Sequence, residues 1–405
     1  MVLIHEGIVL YSWGVDERRN PYAPGAGVRP AALVGRDEEQ ESWAVALERA
    51  EAGRPSQSVV LYGLRGVGKT VLLIDLAATA RRRGWMVATV EAGTDKSLRQ
   101  MLGEALHPAL ADLVKPSAGQ RLRRAVRTFA SFKTTYDLSA NAVTFGLDLA
   151  DASGGDADSG VLETDLAKLV EDMSGLAAQS NRGLVLGIDE AQDLASDQLV
   201  AICGVAHRVS QQGWPVLVAL AGLPSLPRVL SEAKSYAERL FTYTRIEQLH
   251  PGAAKAAIVT PAAAVGVEWE SAAVDRVVRD THGYPYFLQQ YGQATWTVAE
   301  SAPIRLHDVE VGSQLAVARL DAGFFRARWD RATNAEKRYL KAMAVDGDRG
   351  SGSGEVAERL GKPKVSLLGP TRARLISKGI IYAPDHGVIA FTVPNMADFI
   401  NRQPQ

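Results

Sequence analysis

Residues 63–70 read Gly63-Leu64-Arg65-Gly66-Val67-Gly68-Lys69-Thr70, the spacing GxxxxGK[ST]. The apolar run Ser58–Tyr62 precedes it and Val71-Leu-Leu-Ile-Asp-Leu-Ala-Ala follows it. Strand, glycine turn and helix are the context such a loop requires. Glycines let the backbone turn tightly and aim successive N–H groups at phosphate oxygens. The helix that follows adds the positive end of its dipole. Lys69 is placed to reach terminal phosphates and Thr70 to ligate magnesium. The bland alternative, a glycine turn that precedes a lysine by chance, fits poorly with the flanking strand and helix.

A second signal lies downstream. Gly183-Leu-Val-Leu-Gly-Ile-Asp189-Glu190 reads as a buried strand that ends in adjacent carboxylates. Asp189 is expected to hold magnesium, directly or through water. Glu190, just past the strand end, is expected to polarise an attacking water. Two solvated acids at a strand terminus are the competing reading, which the upstream loop weakens. The pair makes a nucleotide-hydrolysing site with ATP and Mg2+ the leading expectation.

The remaining composition narrows the class. With 405 residues the chain has room for two or three domains and a sizeable core. Apolar residues make up 46% and charged residues 22%, which indicates a globular protein. A net charge of -1 argues against a chain dominated by polyanion binding, although a local basic face is compatible with it. The single cysteine, Cys203, excludes an internal disulfide framework, and the seven histidines form no metal-binding motif. The residues from Met1 lack the pattern of a secretory signal, and no run of eighteen apolar residues marks a membrane span. A reducing, cytoplasmic setting without membrane attachment is expected.

Along the chain, residues 1–30 are punctuated by prolines and glycines and are expected to lie extended across the surface. A helix is expected from Leu33-Val34-Gly35-Arg36-Asp-Glu-Glu toward Ala52. Strands are expected at Val59–Tyr62, Trp85–Val90, Leu184–Ile188, Pro215–Leu220 and Phe241–Ile246, with helices between them, including a largely helical stretch over residues 97–133. That alternation implies an α/β fold with a mostly parallel five-stranded sheet covered on both faces. Phe132–Leu149 breaks the rhythm and resembles a hairpin insertion, and residues 151–160 read as a Gly/Asp/Ser-rich loop.

From Pro251 the pattern is helical: Ala253–Thr260, Glu270–Thr281, Pro285–Val298 and Leu306–Arg328 suggest a helical lid. Beyond Asn334, helices at Glu336–Ala344, Gly354–Leu360 and Ser366–Lys378 precede short strands at Ile380–Tyr382 and Val388–Val393, the pattern of a winged helix-turn-helix. Leu367, Leu368, Leu375 and Ile376 are expected to anchor its third helix.

Other charges have weaker readings. Residues 361–380 carry Lys362, Lys364, Arg372, Arg374 and Lys378 and no acid, a face suited to the phosphates of double-stranded DNA. A protein partner, or packing between subunits, is the alternative use of that unit. Arg239, before the fifth strand, is a candidate to reach the phosphates bound by a neighbouring subunit, with an ordinary surface arginine as the bland reading and Arg245 as the rival. The run Arg121, Arg123, Arg124 and Arg127 reads as a solvated helix face.

With these motifs in place, the chain resembles a bacterial AAA+ P-loop ATPase of the Orc1/Cdc6-like type over most of residues 20–400. Gly63–Thr70 and Val185–Glu190 carry the likeness, and the order of helix, loop strand, acidic strand, arginine-bearing helix, lid and winged helix narrows it. The resemblance implies a nucleotide-binding core over 31–250 with an insertion at 132–160, a lid over 251–330 and a winged-helix domain over 331–400. It implies that Val34, Gly35 and Arg36 lie near the adenine, that Gly63–Val71 and Pro285 line the nucleotide site, and that Arg239 acts in a homo-oligomer.

Three features depart from the family pattern, one of them the hairpin and acidic loop at 132–160, which are extra to the minimal core. The fourth strand ends Ala219-Leu-Ala221-Gly222 without the usual sensor Asn or Thr, for which Ser225 is a distant substitute. The lid helix opens Gly283-Tyr284-Pro285-Tyr286 without a sensor arginine. This last departure resembles the signal-transduction ATPases with numerous domains, which act as slow switches. The expected function is therefore an ATP-hydrolysing switch, with a nucleotide-gated protein-interaction module of little turnover and no DNA contact as the alternative.

Overall fold

A computed structural model describes residues 4–5, 8–9, 15–93, 96–111, 120–134, 157–180 and 182–403. The chain divides into two compact units, one of residues 37–63 with 69–246 and the other of residues 1–36, 64–68 and 247–405.

The first unit, the core unit, begins with α1 (Asp37–Glu51). Its first turn holds Asp37, Glu38 and Glu39, which favour the positive end of the helix dipole. Trp43, Leu47 and Ala50 recur at helical spacing and are its buried face. β1 (Ser58–Tyr62), α2 (Lys69–Arg82) and β2 (Met86–Glu91) follow. Next come α3 (Leu98–Ala111), α4 (Gln120–Thr134) and α5 (Leu162–Ala177). The unit closes with β3 (Leu184–Asp189), α6 (Ser196–Gln212), β4 (Val216–Gly222), α7 (Leu226–Ala233), α8 (Ala237–Leu240) and β5 (Phe241–Arg245).

The five strands form one parallel sheet in the order β2-β3-β4-β1-β5. All five strands expected from sequence are present, displaced by no more than two residues at either end. β3 and β4 are buried along their whole length, because helices cover both faces of the middle of the sheet. Their unbroken apolar runs, rather than alternation, follow from that position. Leu102, Leu106, Phe129, Phe132, Leu166, Leu169 and Met173 from α3, α4 and α5 pack in one core with Leu184, Leu186 and Val218. Each fully buried leucine there contributes on the order of 2 kcal/mol. Arg99 and Asp165 are buried together at 2.5 Å, and Arg99 also donates to the Phe132 carbonyl at 2.9 Å. The hairpin expected at Phe132–Leu149 and most of the 151–160 loop lie outside the described residues.

In the second unit, α9 (Pro251–Ala264), α10 (Ser271–Thr281), α11 (Pro285–Val298) and α12 (Leu306–Arg319) form a helical layer. The N-terminal segment is tied into it by side chains. Tyr22 is buried, donates to the Ile258 carbonyl at 2.5 Å and meets the edges of Trp269 and Trp296. Trp296 in turn donates to the Asp16 carbonyl at 3.0 Å. Proline and glycine density identified this segment as irregular but carried no sign of that anchor.

α12 runs through a widened π turn at Leu320–Phe325 into α13 (Arg326–Asp330). Then follow α14 (Asn334–Ala344), β6 (Ser351–Gly352), α15 (Ser353–Arg359), α16 (Gly369–Ser377), β7 (Ile381–Tyr382), β8 (Val388–Phe391) and α17 (Met396–Asn401). The strands make a small antiparallel sheet in the order β6-β8-β7, so this region is winged-helix-like. Pro370 occupies the first turn of α16, where its missing N–H costs nothing. One expected anchor is overturned: Leu368 and Leu375 are buried, but Leu367 is 58% exposed. It lies in a 3-10 turn, Val365–Leu368, ahead of α16, and not on the helical face.

Candidate nucleotide site

In the core unit the chemistry gathers at the carboxyl ends of the parallel strands, where open α/β sheets bind their ligands. β1 and β3 both flank β4. The start of α2 and the end of β3 therefore stand on either side of the β4 tip. Lys69 and Asp189 are both buried there. The Thr70 hydroxyl is hydrogen-bonded to the Asp189 carboxylate, and the Lys69 charge acts on the same group. The main-chain N–H of Glu190 donates to Asp189 Oδ1 at 2.8 Å.

Burial pushes the Asp189 carboxyl above its ordinary range, and the neighbouring Glu190 charge pushes the same way. The Thr70 hydrogen bond, the Glu190 N–H and Lys69 oppose that rise without cancelling it. A divalent cation would relieve the conflict. Thr70 and Asp189 offer adjacent hard oxygen donors, the few protein ligands that magnesium takes when phosphates supply the others. The residues present thus fit the metal.

Glu190 has φ 48° and ψ 37°, a left-handed conformation that costs a non-glycine residue roughly 1–2 kcal/mol. This backbone sets the direction in which its carboxylate leaves the strand. Glu190 Oε2 accepts from Gln192 Nε2 at 2.7 Å. Sequence reasoning missed Gln192; its only signal was a polar side chain two residues beyond the acidic pair.

Gly63, Lys69, Thr70 and Val71 belong to the core unit with Asp189 and Glu190. Arg239 lies in the last turn of α8 and Arg245 ends β5, and both are exposed. Arg245 pairs in register with Tyr62, the last residue before the loop. The main-chain carbonyl of Arg239 accepts from Gln57 Nε2 at 3.2 Å, which fixes its backbone and leaves the guanidinium to solvent.

Val34, Gly35, Arg36, residues 64–68 and Pro285 belong to the second unit. Gly66 and Gly68 have φ of +87° and +95°, conformations that side chains other than glycine rarely adopt. Arg36 is buried and donates to the carbonyls of Val67 at 3.1 Å and Glu247 at 2.6 Å. Gly35 is also left-handed, with φ +68°. Pro285 opens α11, and its neighbours both reach the loop. The Tyr284 hydroxyl donates to the Arg65 carbonyl, and the Tyr286 N–H to the Gly66 carbonyl at 3.2 Å. The Arg65 N–H donates to the Thr392 carbonyl at 3.1 Å. Arg328 lies over the Phe324 ring, 4.1 Å from its centroid, and Phe324 stacks on Tyr286. Burial, and then the charge of Arg65, hold the Arg328 guanidinium down at about 10.

The cations of the winged-helix-like region divide in two. Lys362 and Lys364 are exposed and Arg372 is half-buried. Arg374 and Lys378 instead reach the fully buried Glu336, at 3.3 Å and 2.6 Å. No helix among the described residues is long and apolar enough to cross a membrane.

Residues 32–219 match the family described as AAA ATPase domain, and residues 322–400 match a domain of unknown function, DUF8462. No curated protein matches the chain. Among solved structures, the Walker-type ATPase PABY2304 of Pyrococcus abyssi is 14% identical, with 92% of this chain and 97% of that one covered and a TM-score of 0.59. The RuvB Holliday junction branch migration motor of Thermotoga maritima is 16% identical over 94% of this chain and 100% of its own, with a TM-score of 0.45. Aeropyrum pernix Orc1, solved in complex with DNA, is 18% identical over 93% and 94%, with a TM-score of 0.42. At 14% identity the likeness to the Pyrococcus abyssi ATPase is one of fold. The parallel five-stranded sheet with helices on both faces is an AAA+-like fold, and the stretch that matches the AAA ATPase domain model contains all or most of four of its five strands.

Proposed function

We propose that the chain binds ATP with Mg2+, hydrolyses it, and couples nucleotide state to self-association and to a contact made by its winged-helix-like region. The observation that carries the reading is the cluster in which Thr70 is bonded to Asp189 beside Lys69, with Glu190 one residue on. Gly63, Lys69, Thr70 and Val71 would hold the phosphates of the nucleotide.

In this reading Lys69 offsets charge on the terminal phosphates. Thr70 and Asp189 would hold magnesium, which supplies charge neutralisation at the phosphate oxygens. Glu190 accepts a proton from the attacking water as its oxygen bonds to the terminal phosphorus and the bond to the bridging oxygen breaks. Arg239, exposed on a short helix, would supply a further positive charge to the site of a neighbouring copy. Phosphate release by the wild type, compared with Lys69→Ala and Glu190→Gln, tests the assignment. Turnover no faster than that of the two variants would sink it.

For the winged-helix-like region we favour double-stranded DNA, held by Lys362, Lys364 and Arg372. Arg374 and Lys378 contribute less, because Glu336 already engages them. One observation favours a second reading, a protein partner: Val365 and Leu367 are 43% and 58% exposed beside the two free-standing lysines. Apolar side chains in that setting suit a protein surface better than a phosphate backbone.

A further inference from the structure

The β4 tip ends Ala221-Gly222, without a polar side chain aimed at the acidic pair. A polar group nevertheless stands there, delivered by a different strand. Gln192, in the short turn after β3, donates through Nε2 to Glu190 Oε2 at 2.7 Å. Its Oε1 accepts the main-chain N–H of Leu223 at 2.9 Å. The two ends of the amide leave one orientation: a carboxylate needs a donor and an N–H needs an acceptor. Gly222 leaves the room for this bridge, since a Cβ there would come within 2.5 Å of Gln192 Oε1. The Gly222 carbonyl in turn accepts the N–H of Gly63, the first residue of the phosphate loop, at 3.2 Å. A continuous path of hydrogen bonds and backbone thus runs from Glu190 through Gln192 and the β4 tip to Gly63.

We infer that Gln192 is a positioning residue for Glu190, and that it supplies, from the turn after β3, the polar contact that the β4 tip lacks. The inference rests on the ATP-hydrolysis reading above. Glu190 leaves β3 in a left-handed conformation, so its carboxylate is not steered by regular strand geometry. Gln192 ties it to the β4 tip, and displacement of that tip or of Gly63 moves the carboxylate. Glutamate at 192 would still accept from Leu223 but would repel Glu190. Alanine would remove both bonds.

The test is steady-state phosphate release from MgATP, with nucleotide affinity measured by calorimetry, on the full chain. Variants are Gln192→Ala, the near-isosteric Gln192→Glu, Glu190→Gln and the double variant Glu190→Gln/Gln192→Ala. Loss of the positioning contact is expected to lower kcat about tenfold or more in both Gln192 variants, with KM and nucleotide affinity within about twofold of wild type. The double variant is expected to be about as slow as Glu190→Gln alone, because Gln192 acts only through that carboxylate. Wild-type kcat in Gln192→Glu, or losses that multiply in the double variant, would overturn the inference while ATP hydrolysis by Glu190 stands. A wild type that releases no phosphate above the Lys69→Ala background would overturn both.

Discussion

The main-chain N–H of Arg65 donates to the carbonyl of Thr392 at 3.1 Å, so the tip of the phosphate loop is bonded to the residue that follows β8. Tyr284 and Tyr286 take the next two carbonyls of the loop. The loop conformation is therefore set partly by side chains and backbone more than two hundred residues away in sequence. Tyr284→Phe removes one of these bonds and little volume. It is expected to weaken MgATP affinity by about threefold to tenfold, the worth of one hydrogen bond of roughly 1 kcal/mol. Isothermal calorimetry at constant magnesium checks this, and unchanged affinity would show that the loop holds its shape without Tyr284.

Lys69→Ala is expected to lose most MgATP affinity, on the order of a hundredfold, since one charge-assisted contact to phosphate disappears. The fold should persist, with circular dichroism and melting temperature close to wild type, because Lys69 is buried beside acidic Asp189 and not within the apolar core. Wild-type affinity in this variant would refute the assignment of the loop.

Glu336 offers a pH-dependent test of stability. Burial alone would raise its carboxyl, but the hydrogen bond from Lys378 and the N–H of Thr333 override burial and hold it down at about 2, from an ordinary 4.5. A carboxyl with a depressed folded-state value stabilises the protein above its unfolded value and loses that contribution as pH falls through the folded one. The window is thus roughly pH 4.5 down to 2. Glu336→Gln is expected to cost on the order of 2–3 kcal/mol near neutral pH, with the gap to wild type closing across that window. Parallel melting curves from pH 7 to pH 2.5 read it; a gap that stays constant with pH would count against the Lys378 pairing.

Charge placement in the winged-helix-like region separates its two readings. Neutralising Lys362, Lys364 and Arg372 together is expected to weaken binding to duplex DNA about tenfold or more and to flatten its salt dependence by up to three contacts' worth of slope. Neutralising Arg374 and Lys378 should instead show itself chiefly in stability, through Glu336. Fluorescence anisotropy across ionic strength measures the first and thermal melting the second. Binding that ignores salt would favour a protein partner.

Arg239→Ala is expected to leave nucleotide affinity intact while the turnover that depends on protein concentration falls about tenfold or more. Phosphate release measured across a dilution series checks this, alongside light scattering with and without ATP. Equal turnover of variant and wild type where assembly is complete would reject the role between subunits.

The amino-acid sequence determined the parts that local physics controls. The spacing of Gly63–Thr70, the apolar run into Asp189-Glu190 and the alternation of strands with helices were sufficient for a parallel five-stranded sheet with its site at the strand ends. Those signals are short in range: a turn needs its glycines, and a strand covered on both faces needs an unbroken apolar run. Tertiary structure decided what depends on distant partners. It set β4 between β1 and β3, sent Gln192 across to Leu223, and gave Arg374 and Lys378 to Glu336. It also buried Tyr22 between Trp269 and Trp296 and left Leu367 in solvent. A side chain's polarity is legible where it stands in the chain, but its hydrogen-bond partner is fixed only when folding brings the two together. That is why the acidic pair was visible from sequence and the glutamine that holds it was not.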